Sequence, residues 1–399
     1  MTLESLRHEL AAFDAGDPQY ATLVVERLLA AGRQVEASDL HLLPTATGLD
    51  IQWRIDGVLQ PLAVMPAPLA PNVVARLKVL AGLLTYRTDT PQEGRIRQAA
   101  GAEVRVSTFP TLYGEKAVVR LFADRGQYQS LESLGLQAEI VSGLRRLLAE
   151  TSGAILVTGP AGSGKTTTLY ACLREIAQTS HGSRSLASLE DPIEMAVPGV
   201  AQSQVNAAAG FDLAAGLRFL LRQDPEVIML GEIRDRATAE TVFQASLTGH
   251  LVLTTFHAPS AVGAISRLCD MEIAPYLLRS GILAIISQRL VRRLCECAEP
   301  TDDADSRLGL PVGTMLAARG CSLCGGTGYR GRTVLAEMLT VQNNDLARAI
   351  LSRGDRPRLQ QLALESGMVP LVRRACDAIE AGVTTPAEAR RVLGFGDDV

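Results

Sequence analysis

Between the apolar run Ala154–Thr158 and a stretch with helical spacing stands Gly159-Pro160-Ala161-Gly162-Ser163-Gly164-Lys165-Thr166. No other segment restricts the fold of this chain so strongly. Three glycines in six residues permit backbone angles closed to other residues, so the chain reverses tightly with its N–H groups turned inward. The pattern G-x-x-x-x-G-K-[ST] in a strand–loop–helix context predicts a phosphate cradle. Its glycines bring amides to the phosphate oxygens, and the following helix offers its positive end. The compact ammonium of Lys165 would reach the β- and γ-phosphates, and the Thr166 hydroxyl would ligate Mg²⁺. The nucleotide-binding candidates are Gly159, Pro160, Ala161, Gly162, Ser163, Gly164, Lys165, Thr166 and Thr167.

The surrounding rhythm is of short apolar strands, each followed by a helix. Val227–Leu230 and Leu251–Thr255 repeat what Ala154–Thr158 begins. Such alternation predicts an α/β fold with a parallel sheet covered by helices on both faces. Two predicted strands end in acids: Leu189-Glu190-Asp191-Pro192-Ile193-Glu194, and Asp224 through Gly231-Glu232. Carboxylates at the carboxyl ends of parallel strands converge on the ligand crevice of such a sheet. Glu190 and Glu232 are therefore candidates for contacting a bound nucleotide.

Ahead of this core the pattern differs. Tyr20–Ala31 has helical spacing and meets Gly32. Leu49–Ile55 alternates like a strand before the turn Asp56-Gly57, and a Pro-rich stretch, Pro61–Pro71, leads into a helix expected to reach Leu84. Val104–Phe109 and Ala117–Phe122 alternate again, separated by Pro110–Gly114. The expected organisation is an N-terminal segment (1–19), a small mixed α/β domain (20–123), a linker (124–133), the nucleotide core (134–294), a cysteine-bearing module (295–340) and a C-terminal helical region (341–399).

Seven cysteines occur, and four are clustered: Cys295-Glu-Cys297 and Cys321-Ser-Leu-Cys324. Four thiolates suit a closed tetrahedral Zn²⁺ shell, and the glycines after Cys324 would let amides turn toward sulfur. Four reduced thiols are the alternative. No apolar leader follows Met1, and no run approaches the roughly 18–20 residues a membrane span needs, which predicts a cytoplasmic protein. With 39 basic and 43 acidic residues the net charge is −4, which argues against a nucleic-acid partner. Only Lys78, Lys116 and Lys165 are lysines, and the other 36 basic residues are arginine. Codon bias explains most of that, yet each lysine raises the question of what arginine could not do there.

Taken together these motifs resemble the secretion ATPase superfamily that powers type II secretion and type IV pilus assembly. Ala37-Ser38-Asp39-Leu40-His41 and Trp53-Arg54-Ile55-Asp56-Gly57 are similar to two of its segments. So are Pro91-Gln92-Glu93-Gly94-Arg95 and Val104-Arg105-Val106-Ser107-Thr108. Leu189–Glu194 resembles its aspartate box, Leu221–Asp235 its Walker B region, and Thr248–His257 its histidine box. The resemblance implies a PAS-like N-terminal domain, then a RecA-like P-loop NTPase core with an inserted zinc module and C-terminal helices. It implies ATP, Mg²⁺ and Zn²⁺ as ligands, and a homohexamer with nucleotide between one subunit's core and a neighbour's N-terminal domain. Its partners would be an inner-membrane platform protein and the pilus or secretion assembly proteins, reached by peripheral association. Glu190 or Glu232 would polarise the attacking water, the other helping to place the metal, and His250 and His257 would lie near the γ-phosphate. Arg95, Arg105, Arg218 and Arg222 would stabilise charge on the transferred phosphoryl group, the last two sharing a helix face. A catalytically inactive nucleotide-binding scaffold and a nucleic-acid motor related to DNA-uptake systems are the alternatives.

Overall fold

The computed structural model describes residues 3–97, 103–121, 130–341 and 345–395. The chain divides into two compact units. One comprises Met1–Arg125 with Arg319–Gly331, and the other Gly126–Ala318 with Arg332–Val399. Most of the expected linker, residues 124–129, lies outside the described residues.

In the first unit, α1 (Leu3–Ala11) and α2 (Tyr20–Gln34) precede β1 (Asp39–Pro44), β2 (Gly48–Ile55) and β3 (Val58–Pro66). Then come α3 (Ala70–Leu80), β4 (Gln92–Arg97), β5 (Glu103–Thr111) and β6 (Gly114–Leu121). The strands form one six-stranded sheet in the order β3-β2-β1-β6-β5-β4, and every recorded pairing in it is antiparallel. Alternation puts Leu40, Leu42, Ile51, Trp53, Val104, Val106 and Val119 into the core beneath α2 and α3. The opposite face carries the polar side chains.

Three boundaries differ from the pattern-based expectation. Helix α2 does not stop at Gly32 but runs to Gln34. Gly32 is there for close packing, since a Cβ would come within 2.5 Å of the Leu121 side chain. Helix α3 ends at Leu80 rather than near Leu84. The Pro-rich stretch is partly strand, because β3 runs through Pro61 to Pro66. Proline is tolerated there because β3 is an edge strand.

The second unit begins with α4 (Ala138–Leu148), β7 (Gly153–Thr158), α5 (Lys165–Thr179), β8 (Leu186–Glu190), β9 (Ala201–Gln204) and α6 (Leu213–Leu220). It continues with β10 (Val227–Leu230), α7 (Arg236–Leu247), β11 (Leu251–Phe256), α8 (Ala261–Asp270), α9 (Pro275–Gly281) and β12 (Ile282–Leu294). After two short strands, β13 (Glu299–Pro300) and β14 (Leu316–Ala317), come β15 (Tyr329–Thr340) and the helices α10 (Asp345–Leu351), α11 (Arg356–Glu365), α12 (Leu371–Glu380) and α13 (Pro386–Leu393). The main sheet has the order β15-β12-β7-β11-β10-β8-β9. From β12 to β9 the neighbours are parallel.

Strands β7, β8, β10 and β11 are buried at every position, as expected where helices cover both faces. Ile155, Val157, Met229 and Leu253 pack with α4 and α5 on one side. Ala154, Leu156, Leu230 and Val252 pack with α6–α11 on the other. Toward its end β12 supports α12 and α13 through Val291. Among the described residues no helix is long and apolar enough to cross a membrane.

Candidate functional site

Parallel register brings Thr158, Glu190, Leu230 and Phe256 to one end of the sheet. Past Thr158 the loop turns through Gly159, Gly162 and Gly164 at φ of +144°, +75° and +88°. A Cβ at Gly162 would meet nothing within 4 Å, so that glycine is required by its backbone angle and leaves an open cradle. The Ser163 hydroxyl is buried without a hydrogen-bond partner among the described residues. Lys165 opens α5 and is 8% exposed. Its ammonium donates to the carbonyls of Gly159 (3.1 Å) and Pro160 (2.9 Å). Burial lowers the Lys165 pKa, the Glu232 carboxylate opposes that shift, and the Arg289 guanidinium adds to it. A buried ammonium held only by carbonyls and amides open toward a cradle are a donor set that fits a polyphosphate anion.

The loop borders a cleft of about 240 Å³ lined by Lys165, Thr166, Glu190, Asp191, Glu232, Arg234 and His257, among others. The two candidate carboxylates meet there in different states. Glu190 is 2% exposed and accepts hydrogen bonds from the Tyr170 hydroxyl, the Ser188 hydroxyl and Gln202 Nε2. Tyr170 in turn accepts the backbone N–H groups of Glu194 and Met195, so its proton is directed at Glu190. Burial and the neighbouring Glu190 carboxylate push the Tyr170 phenol well above its ordinary pKa. Glu232 is more open. It is paired with Arg234, whose other arm reaches Asp191 Oδ2 at 3.1 Å. His257 Nε2 stands 3.3 Å from its second oxygen.

Of the sequence candidates, Lys165, Thr166, Glu190, Glu232 and His257 are thus brought together. His250 is not. It precedes β11 at the opposite end of the sheet, where its carbonyl accepts the N–H of Gly153, the first residue of β7. Its Nδ1 lies 3.1 Å from the Ala245 carbonyl. The whole of β11 separates it from His257, about 20 Å at 3.3 Å per residue. Arg218 and Arg222 are exposed and do not line the cleft. They do not share a helix face, because α6 ends at Leu220, and Arg222 lies over the Phe219 ring.

In the first unit, Arg95 and Arg105 are direct cross-strand partners on β4 and β5. The same register continues as Arg105–Arg120, Arg120–Asp39 and Asp39–Arg54. Four arginines and one aspartate therefore form a row across five strands on the polar face. Asp39 pairs with Arg120 at 3.1 Å and Arg54 at 3.5 Å. Arg54 and Arg120 had no assigned role from sequence, since strand order alone reveals the row.

Two further groups escaped the sequence reading: Tyr170 behind Glu190, and Arg234 lining the cleft. Tyr170 follows Thr166 by one helical turn, a spacing that could have flagged it. Arg234 lay within a quoted motif without a role. The cysteines divide between the units. In the first, the Cys324 sulfur accepts the backbone N–H of Cys321 (3.1 Å) and of Gly328 (3.2 Å), and the two sulfurs are 3.8 Å apart. Amide donors aimed at sulfur favour a thiolate, the form that binds metal. In the second, Cys295 is buried and Cys297 half-buried.

The family model described as "Type II/IV secretion system protein" matches residues 15–391. "Type II secretion system protein E" of Klebsiella pneumoniae is 41% identical over 387 residues, covering 95% of this chain and 77% of the relative. "Type IV pilus assembly ATPase PilB" of Thermus thermophilus is 36% identical over 384 residues, covering 93% of this chain and 43% of the relative. Among solved structures, the Legionella pneumophila ATPase DotB aligns with TM-score 0.66 at 21% identity, over 92% of this chain and 95% of that one. The pilus retraction motor PilT with bound ADP aligns with TM-score 0.60 at 24% identity, over 92% and 96%. The structural likenesses are evidence of fold.

Proposed function

Because the chain belongs to the type II/IV secretion system protein family, we propose that it is an ATP-hydrolysing motor for assembling a pilus or secretion pseudopilus. It works as a cytoplasmic homohexamer, peripherally attached through an inner-membrane platform protein, and its conformational cycle adds pilin-like subunits. The observation that carries this reading is the meeting of the Lys165 loop with Glu190, Glu232 and His257 at one cleft. ATP hydrolysis there needs a grip on phosphate, an oriented water and compensation of developing charge.

Lys165 and the loop amides hold the β- and γ-phosphates. Of Glu190 and Glu232, one polarises the attacking water while the other helps Thr166 place the metal. Mg²⁺, when bound, neutralises charge on the phosphate oxygens. His257, through Glu232, senses the γ-phosphate end of the cleft. Arg95 and Arg105 of a neighbouring copy supply guanidinium groups to the transferred phosphoryl. Cys295, Cys297, Cys321 and Cys324 would hold one structural Zn²⁺, a reading supported by the two amides directed at Cys324.

Phosphate release by purified protein tests the motor reading. Lys165→Ala is expected to abolish turnover while its circular dichroism and melting curve match the parent, and near-native turnover would overturn the site assignment. Elemental analysis is expected to find about one zinc per chain, lost on replacing Cys321 and Cys324 with serine; a metal-free protein would refute the zinc assignment.

A further inference from the structure

The phosphate loop is held from behind by a side chain 125 residues away in sequence. Ser287 on β12 pairs with Thr158, the last residue of β7, so Gln288 continues alongside the loop itself. Gln288 is 1% exposed. Its Nε2 donates to the Ser163 carbonyl at 2.7 Å, and its Oε1 accepts the Thr168 hydroxyl at 3.0 Å. A carbonyl can only accept, so the amide must present nitrogen to Ser163. The fit is close at both ends of the loop. A Cβ at Gly159 would fall 2.6 Å from the Gln288 carbonyl oxygen, and one at Gly164 would fall 3.2 Å from Nε2.

Peptide planarity turns this contact into control over phosphate binding. In a trans peptide the C=O and the following N–H point in opposite directions. With the Ser163 carbonyl drawn to β12, the Gly164 N–H is turned away from β12, as a donor to a bound anion must be. We propose that Gln288 is a positioning residue that fixes the Ser163–Gly164 peptide and thereby sets the loop's affinity for the β-phosphate of nucleoside di- and triphosphates. The inference rests on the nucleotide reading of the cleft and names a residue outside every motif of that reading. Gln288 touches no reacting atom. Its loss weakens binding of ATP and ADP alike and leaves the chemical step almost unchanged.

The test is Gln288→Met, which keeps length and removes both hydrogen bonds without adding charge. Expected are roughly tenfold rises in the KM for ATP and in the calorimetric Kd for Mg·ADP, about the effect of one hydrogen bond of 1.4 kcal/mol. The kcat should stay within about threefold, while the nucleotide-free melting temperature falls by a few degrees because the Ser163 carbonyl and the Thr168 hydroxyl lose their partner. Thr168→Val removes the partner that orders the amide but keeps the donor to Ser163, and should raise both constants about threefold. ADP affinity within twofold of the parent in Gln288→Met, or a loss confined to kcat, would overturn the proposal. If Gln288→Met does not fold, Thr168→Val decides, and parental affinity in that variant refutes it. A parent protein that binds no ADP would instead sink the nucleotide reading itself, so the two failures are distinguishable.

Discussion

Lys78→Met is expected to be among the most damaging substitutions in the first unit, although Lys78 lies far from any catalytic motif. Its side chain is 0% exposed and its ammonium has three acceptors: the Arg87 carbonyl at 2.7 Å and the two Glu115 oxygens at 2.8 and 2.9 Å. An ammonium has three donors, so all are used. Methionine would fill most of the volume but leave the Glu115 carboxylate, 7% exposed, without its cation. Breaking one side of a buried pair costs about 3–5 kcal/mol, a large part of the ~5–15 kcal/mol available to a domain. The Arg87 carbonyl keeps a second donor in Gln92 and adds little to the loss. Replacing both partners, as in Lys78→Met with Glu115→Leu, should restore most of the stability, because an apolar pair carries no desolvation cost. The single tryptophan, Trp53, is fully buried in the core of this unit. Its fluorescence during urea unfolding therefore reports on the first unit alone. A single-variant loss below about 1 kcal/mol, or a double variant no more stable than the single, would refute the ion-pair argument.

A second buried carboxylate should control acid stability in the other unit. Burial would raise the pKa of Glu388, but hydrogen bonds from Arg391 and Arg292 outweigh it and hold the group below its ordinary value. A depressed folded pKa means the stabilisation is present above the unfolded pKa of about 4.3 and is lost as pH falls through the folded value. Thermal melts by far-ultraviolet circular dichroism should therefore drop steeply below roughly pH 4, and Glu388→Gln should flatten that drop while lowering the melting temperature at neutral pH. An unchanged acid slope would contradict the assignment. The histidines should separate cleanly in phosphate-release assays. His257→Ala is expected to lower kcat on the order of 100-fold, and His250→Ala to stay within about threefold; equal losses would mean that the distance along β11 does not divide their roles.

Much of the cleft was legible from residue order because its parts are local. A Gly-rich loop after a strand can only lead its lysine into a helix, and acids at the ends of parallel strands must share an edge. That is why residue order alone already groups Lys165, Thr166, Glu190 and Glu232 at one edge of the sheet. The family resemblance, not residue order, put His250 beside the cleft. A strand between two histidines puts them at opposite ends of the sheet, and family likeness outweighed that simple count. Residue spacing, in turn, let Arg218 and Arg222 share a helix that ends before Arg222. Tyr170 and Arg234 stood within reach of the motifs, but their roles depend on which carboxylate each one meets.

The lysines show where each level of description has authority. At Lys165 the sequence alone supplied a reason for lysine, since the Gly-rich loop it predicts suits a compact ammonium. At Lys78 it offered nothing. Its partner, Glu115, lies 37 positions away on another element, and only the packing of α3 against the hairpin of β5 and β6 makes a sealed site for one ammonium and no guanidinium. Gln288 and the arginine row belong with Lys78. Alternation of period two says that a segment is a strand and which residues share its face, but not which strand lies beside it. Partnership across a sheet is settled by strand order, which depends on how all the apolar faces can be buried at once, and no local stretch of sequence carries that information.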